Sequence, residues 1–204
     1  MADFGANYIK FSPIKAQPEG KLPIYRDEGP VELGLLVGAD MTPHMAEGSL
    51  FAGNVLAENL NMFAYADLDL ETDDMLDEVA STVYGCSVKG KLVHYKSGDV
   101  PPEGGLAYYK NKLRRGVPYF QGIFHPRAKA TLGSDSAKTR TDTITFSTTK
   151  TKFKLFACNS EDWRLTETFD TEAEAKAWVD EKLAGAKSDS GEIPDSNADA
   201  EAAD

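Results

Sequence analysis

Two cysteines and three histidines in 204 residues leave little material for metal or thiol chemistry. Cys86 and Cys158 lie far apart and fit no metal-ligand spacing, so both read as free thiols. His44, His94 and His125 are scattered, and none stands at a recognisable spacing from a nucleophile or a second ligand. A phosphate-cradling glycine loop, a nucleophile elbow and a zinc-ligand pair are all missing. The expectation is a protein that is not an enzyme, with no catalytic residue, cofactor or metal. No apolar run approaches the ~20 residues that cross a bilayer, and the N-terminus lacks a basic-then-apolar signal pattern. Synthesis in a cytoplasm without membrane insertion by this chain is therefore expected. Positive charge is also scarce, with 22 basic against 33 acidic residues and a formal charge of -11. From Lys187 onward six acids and one base contribute -5, which leaves -6 for the body. An acidic body argues against nucleic-acid binding by phosphate neutralisation, which needs clustered Lys and Arg.

What the sequence has in quantity is alternation. In Thr139 to Phe156, TRTDTITFSTTKTKFKLF, odd positions from Thr139 to Thr151 are Thr or Ser, whereas even positions include Ile144 and Phe146. A strand sends alternate side chains to opposite faces, so the pattern predicts a long strand with one apolar and one hydroxyl face. Asn7 to Ile14 alternates as a short strand stopping at Pro13. Val31 to Met41 places Val31, Leu33, Leu35, Val37, Ala39 and Met41 on one face of a second. Met62 to Glu71 sets Ala64, Ala66, Leu68 and Leu70 against Tyr65, Asp67, Asp69 and Glu71. That acidic string is no calcium loop, because Thr72 occupies the position where the loop needs its turning Gly.

Thr72 is expected to cap a helix with Asp73 and Asp74 in its first turn, an apolar stripe of Met75, Leu76, Val79, Ala80 and Val83, and Gly85 at its end. Ser87 to Lys96 reads as one strand, and Leu106 to Arg115 and Val117 to Phe124 as two more. Lys110, Lys112, Arg114 and Arg115 read as the only basic cluster, a solvated strand face or a partner for a neighbour's Asp67, Asp69 and Glu71. Pro126 to Lys138 reads as a polar turn region. Beyond Phe156 a loop runs through Trp163, and Thr171 with Glu174 forms a capping box for a helix burying Ala175, Trp178, Val179 and Leu183, ended by Gly185. The acidic residues 186–204 are too poor in apolar side chains to order themselves.

Thr42 to Asn61 shows no sustained period. An irregular stretch this long is uncommon in a compact domain, and Leu50, Phe51, Val55, Leu56 and Leu60 make it too apolar for simple disorder. It reads either as a loop folded back on its own core or, more sharply, as an arm that buries Leu50, Phe51, Val55 and Leu56 against another subunit.

In this order of elements the chain resembles the major tail tube proteins of long-tailed, non-contractile bacteriophages. The resemblance covers Asn7 to Phe156 and is carried by IKFSPI, by ADLDLETDDM, by GGLAYYKNKLRRGVPYFQGIFHPRAKA and by the Thr-rich strand. It implies a mainly β (α+β) fold: an antiparallel β-sandwich or half-barrel with a flanking helix and a C-terminal helix, one domain over 1–185 with the arm at 42–61. It further implies a virion structural protein that self-assembles into stacked hexameric rings around a DNA channel. The implied partners are further copies of itself, a tape measure protein inside the tube, and tail terminator and distal tail proteins at its ends. Asp67, Asp69 and Glu71, with Thr141, Thr143, Thr145 and Ser147, are the candidate channel-facing residues, giving a hydrated wall that DNA passes without sticking. A phage-derived injection device would use the same chain, and a monomeric ligand-binding β-barrel is the non-assembling alternative.

Overall fold

The computed structural model describes residues 2–52, 55–133 and 148–184, with side chains for 5–49, 59–133 and 148–184. The chain is mainly β, with strands β1 (Ala2–Ala16), β2 (Ile24–Tyr25), β3 (Val31–Glu32), β4 (Leu36–Ala52) and β5 (Val55–Thr72) preceding helix α1 (Asp77–Tyr84). There follow β6 (Ser87–Lys89), β7 (Leu92–His94), β8 (Glu103–Arg114), β9 (Val117–Leu132), β10 (Thr149–Phe156), β11 (Leu165–Phe169) and helix α2 (Glu172–Leu183). All strand pairs are antiparallel, and the main sheet runs β2-β1-β8-β9-β10-β5-β4, with β3 on β1 and β11 on β9.

One long strand serves two neighbours. Phe120 to Phe124 of β9 pair with β11, and Arg127 to Leu132 of the same strand pair with β10. His125 and Pro126 lie at the changeover. Proline has no N–H to leave unpaired there, and the Tyr25 hydroxyl donates to its carbonyl at 2.8 Å. The register on β8 slips at the same place, because β9 carries one more residue between the pairs Leu106/His125 and Gly104/Ala128. This bulge moves the inward position from the odd Ile123 to the even Ala128 and Ala130. The expected turn region after Pro126 is therefore strand as far as Leu132, and Leu165–Phe169, between the expected loop and helix, is a strand that the sequence reading leaves unassigned.

Each face of the sheet has its own core. On one side Ile9, Phe11, Leu68, Leu106, Phe153 and Leu155 pack with Val79, Ala80 and Val83 of α1. On the other, α2 lays Trp178, Val179 and Leu183 on Ala107, Phe124 and Tyr25. The four predicted buried residues of α2 are the four observed, and the Thr171–Glu174 capping box is present in both directions. Trp178 packs closely on the sheet only because residue 122 is Gly, where a Cβ would come within 2.6 Å of the indole. The C-cap is Ala184; Gly185 lies outside the described residues.

Other expectations need correction. Thr72 does not cap α1; it ends β5 with its side chain buried, and the N-cap is Leu76, which makes no side-chain cap bond and is 70% exposed. Asp73 instead accepts from the backbone N–H of Leu35 at 2.7 Å, tying β5 to the β3–β4 link. Gly85 does close α1 in the left-handed conformation. The strand expected over Val31 to Met41 breaks at Gly34, whose φ is 112° and where a Cβ would lie 2.1 Å from the Asp74 carbonyl oxygen, so that no side chain fits. Leu36 then points inward, Val37 bulges out, and Ala39 and Met41 return to the core side. Leu35 and Val37, placed on the apolar face by parity, are consequently exposed. Ser87 to Lys96 is not one strand but the hairpin β6–β7 turning at Gly90.

Candidate assembly surface

The outer face of the β4–β5–β10 edge gathers charge. Asp67, Asp69 and Glu71 share one face of β5 as the alternation predicts, with Ala66, Leu68 and Leu70 buried behind them. They are not an unrelieved acidic wall. In register across β10 stand Lys154, Lys152 and Lys150, one opposite each acid. Asp69 pairs with the Lys152 ammonium at 2.9 Å, and that contact holds the Lys152 pKa above its ordinary value. The His44 Nε2 lies 2.9 Å from an Asp67 carboxylate oxygen while its ring stacks on Tyr65, and Thr148 donates to Glu71. Lys154 sits over the Tyr65 ring at 4.6 Å.

Asp69 thus has a basic partner within its own chain. Lys110, Lys112, Arg114 and Arg115, expected as a solvated strand face or as a neighbour's counter-charges, end the β8–β9 hairpin, with β9 and β10 lying between β8 and β5 in the sheet. There the Arg114 guanidinium lies 5.7 Å from the Tyr119 ring centroid, and Arg115 and Gly116 make the two-residue turn with φ of 50° and 82°. They are also not the only basic cluster, since Lys150, Lys152 and Lys154 form a second. The signal for it was present: TKTKFKLF puts a lysine at every second position.

Thr141, Thr143, Thr145 and Ser147 lie outside the described residues. Where the Thr-rich strand is described, its hydroxyl parity faces inward rather than outward. Thr151 is buried, and its hydroxyl is 2.6 Å from that of Tyr84, with Phe153 and Leu155 following it into the core. Threonine suits such a place because its single polar group is satisfied by one neighbour.

The described residues of Thr42 to Asn61 form two paired antiparallel strands rather than an irregular arm. β10 stops pairing with β5 at Ala66, and no other described strand pairs with β4, so beyond that point the two strands have only each other. Met45–Ala52 and Val55–Met62 form this free ribbon, about 25 Å long at ~3.3 Å per residue. Leu50, Phe51, Val55 and Leu56 occupy its far end, in the pairs Leu50/Glu58, Phe51/Leu56 and Ala52/Val55.

Register makes the ribbon amphipathic. A bulge leaves Ala64 without a partner between the pairs His44/Tyr65 and Met45/Phe63. Phe63 is thereby turned toward the core, where its ring stacks on Trp163 at 4.2 Å. The next pairs then alternate: Ala46/Met62 and Gly48/Leu60 on one face, Glu47/Asn61 and Ser49/Asn59 on the other. Met62 and Leu60 on the first face are 57% and 61% exposed. Sequence periodicity misses this ribbon because the bulge breaks the count of two just where the strand leaves the core.

A cleft of about 370 Å³ opens at the end of α1, between the segment after β7 and the ends of β9 and β10. Its lining is mostly apolar, including Tyr84, Pro101, Ala130, Leu132 and Phe156, and carries Lys96, Lys129 and Lys154 against one acid, Asp99. His125 is separate from it, fully buried between Tyr108 and Trp163. Its Nδ1 donates to the Trp163 carbonyl at 3.2 Å, Nε2 has no hydrogen-bond partner, and burial holds its pKa down at about 3. It is a neutral core histidine. Among the described residues no group of three His, Cys, Asp or Glu is arranged to hold a metal, and no helix is long and apolar enough to cross a membrane. A scan against protein-family models gave no match, and neither did a search of curated proteins.

Proposed function

We propose that this chain is a structural subunit that self-assembles into closed hexameric rings, stacked into the tail tube of a long-tailed, non-contractile bacteriophage and serving as a channel for DNA. The observation that carries the reading is the free amphipathic ribbon at residues 45–62. A two-stranded ribbon is marginal alone, and its exposed Met62 and Leu60 contribute to stability only when another surface covers them. Among the described strands β4 is also the terminal one of the sheet, an edge at which a second chain could pair. A head-to-tail contact through such an edge makes a ring when the rotation closes. In this reading the ribbon connects subunits or rings, and the remaining partners are a tape measure protein inside the tube and terminator and distal tail proteins at its ends. The protein would be made and assembled in the host cytoplasm and end in the virion tail.

The paired acids and lysines of β5 and β10 refine the channel expectation. If that face lines the bore, DNA meets charges already compensated within the wall, which neither hold its phosphates nor build a strong opposing field. Asp67→Lys with Asp69→Lys would then leave tubes intact and slow DNA ejection.

The test is negative-stain microscopy with size-exclusion chromatography of the purified full chain. Rings or tubes are expected, and their loss is expected when residues 45–62 are replaced by a two-residue turn. A wild-type protein that stays monomeric at all concentrations would overturn the reading and favour a monomeric binding barrel.

A further inference from the structure

We propose that the cleft between the end of α1, the segment after β7 and the ends of β9 and β10 is the receptor for the ribbon of a second copy of this chain. The inference rests on the assembly reading above and names the two surfaces that meet.

Three observations bring them together. Both are apolar and uncovered: the ribbon presents Leu60 and Met62, and the cleft presents Leu132 among its apolar lining, itself 58% exposed. Their charges are opposite. The only ionisable residues from Met45 to Met62 are Glu47 and Glu58, whereas the cleft carries Lys96, Lys129 and Lys154 against Asp99. The ribbon thus carries two acids and no base, with Glu47 on the face opposite Leu60 and Met62, against a net +2 on the cleft. Finally, no described ribbon residue lines the cleft of its own chain, so the two surfaces are separate on one molecule. Two different patches that fit each other make a heterologous contact, which propagates from copy to copy and closes only at the ring. Opposite charge steers the approach, and apolar burial holds it.

The test mixes two single-substitution variants, Met62→Cys on the ribbon and Leu132→Cys at the cleft, under mild oxidation. The native Cys86 and Cys158 are buried, and wild-type protein treated alike is the control. A disulfide-linked dimer joining positions 62 and 132 is expected in the mixture. A second arm uses charge reversal: Lys96→Glu with Lys129→Glu should raise the concentration needed for assembly roughly tenfold, the effect of removing two modest ion pairs. Adding Glu58→Lys should restore much of the assembly, which a merely misfolded variant would not do. Rings without the cross-link overturn the docking and leave the assembly reading standing. The cross-link without rings upholds the docking and overturns the rings. Neither cross-link nor rings overturns both.

Discussion

The two ends of β5 make an instructive contrast. From Ala66 to Thr72 the strand has β10 on one side and β4 on the other, and Ala66, Leu68, Leu70 and Thr72 are all buried. From Val55 to Tyr65 it has β4 alone, and every described side chain from Asn59 to Met62 is exposed. Composition does not separate them, since Leu60 and Met62 are as apolar as Leu68 and Leu70. The difference is the second neighbour. A strand flanked on both sides has core behind it, whereas a ribbon has solvent, so the first half stabilises the monomer and the second is left to stabilise something else.

That contrast predicts a steep ranking of effects on the monomer. The largest should come from acid acting on the core through His125. Its pKa is about 3 in the fold against an ordinary 6.5, so between these values the unfolded chain takes up a proton that the folded chain refuses. Stability should therefore fall as pH drops below about 6.5, with a limiting slope of ~1.4 kcal/mol per pH unit, and His125→Leu should flatten the slope between about pH 6.5 and 5 in urea titrations. A slope unchanged in that variant would assign the acid sensitivity elsewhere. Next, Phe153→Ala removes a ring packed against Phe11 and should cost about 3–5 kcal/mol in the same assay. Thr171→Ala takes one half of the α2 capping box and should cost about 1 kcal/mol. At the bottom, Leu60→Ser with Met62→Ser on the ribbon should change monomer stability by less than about 0.5 kcal/mol and still prevent assembly into tubes. A loss of several kcal/mol there would mean the ribbon belongs to the monomer's own core and would erase the contrast. Truncation after Gly185 should alter neither circular dichroism nor assembly, since the removed residues carry few apolar anchors.

Much of the fold could be read from local pattern because its cause is local. The acidic and apolar sides of Ala66 to Glu71 follow from a period of two. The capping box at Thr171 and the buried set Ala175, Trp178, Val179 and Leu183 follow from helix geometry, and Gly85 from its tolerance of positive φ. Those determinants lie within a few residues of their effect.

What the tertiary structure alone decided was which side of each pattern faces in, and where the count of two breaks. Nothing near Thr151 says that its hydroxyl meets Tyr84, 67 residues away, so its face looks wet in sequence and is buried in the fold. The bulges at Val37, at Ala64 and beside Pro126 each reverse the parity of a strand, and each shows only in the register against the neighbouring strand. The compensation of Asp67, Asp69 and Glu71 likewise needs β10 alongside β5, a pairing between segments about 80 residues apart. Sequence set the alternation, because that is a property of one strand. Only the assembled sheet set the phase, because phase is a relation between strands.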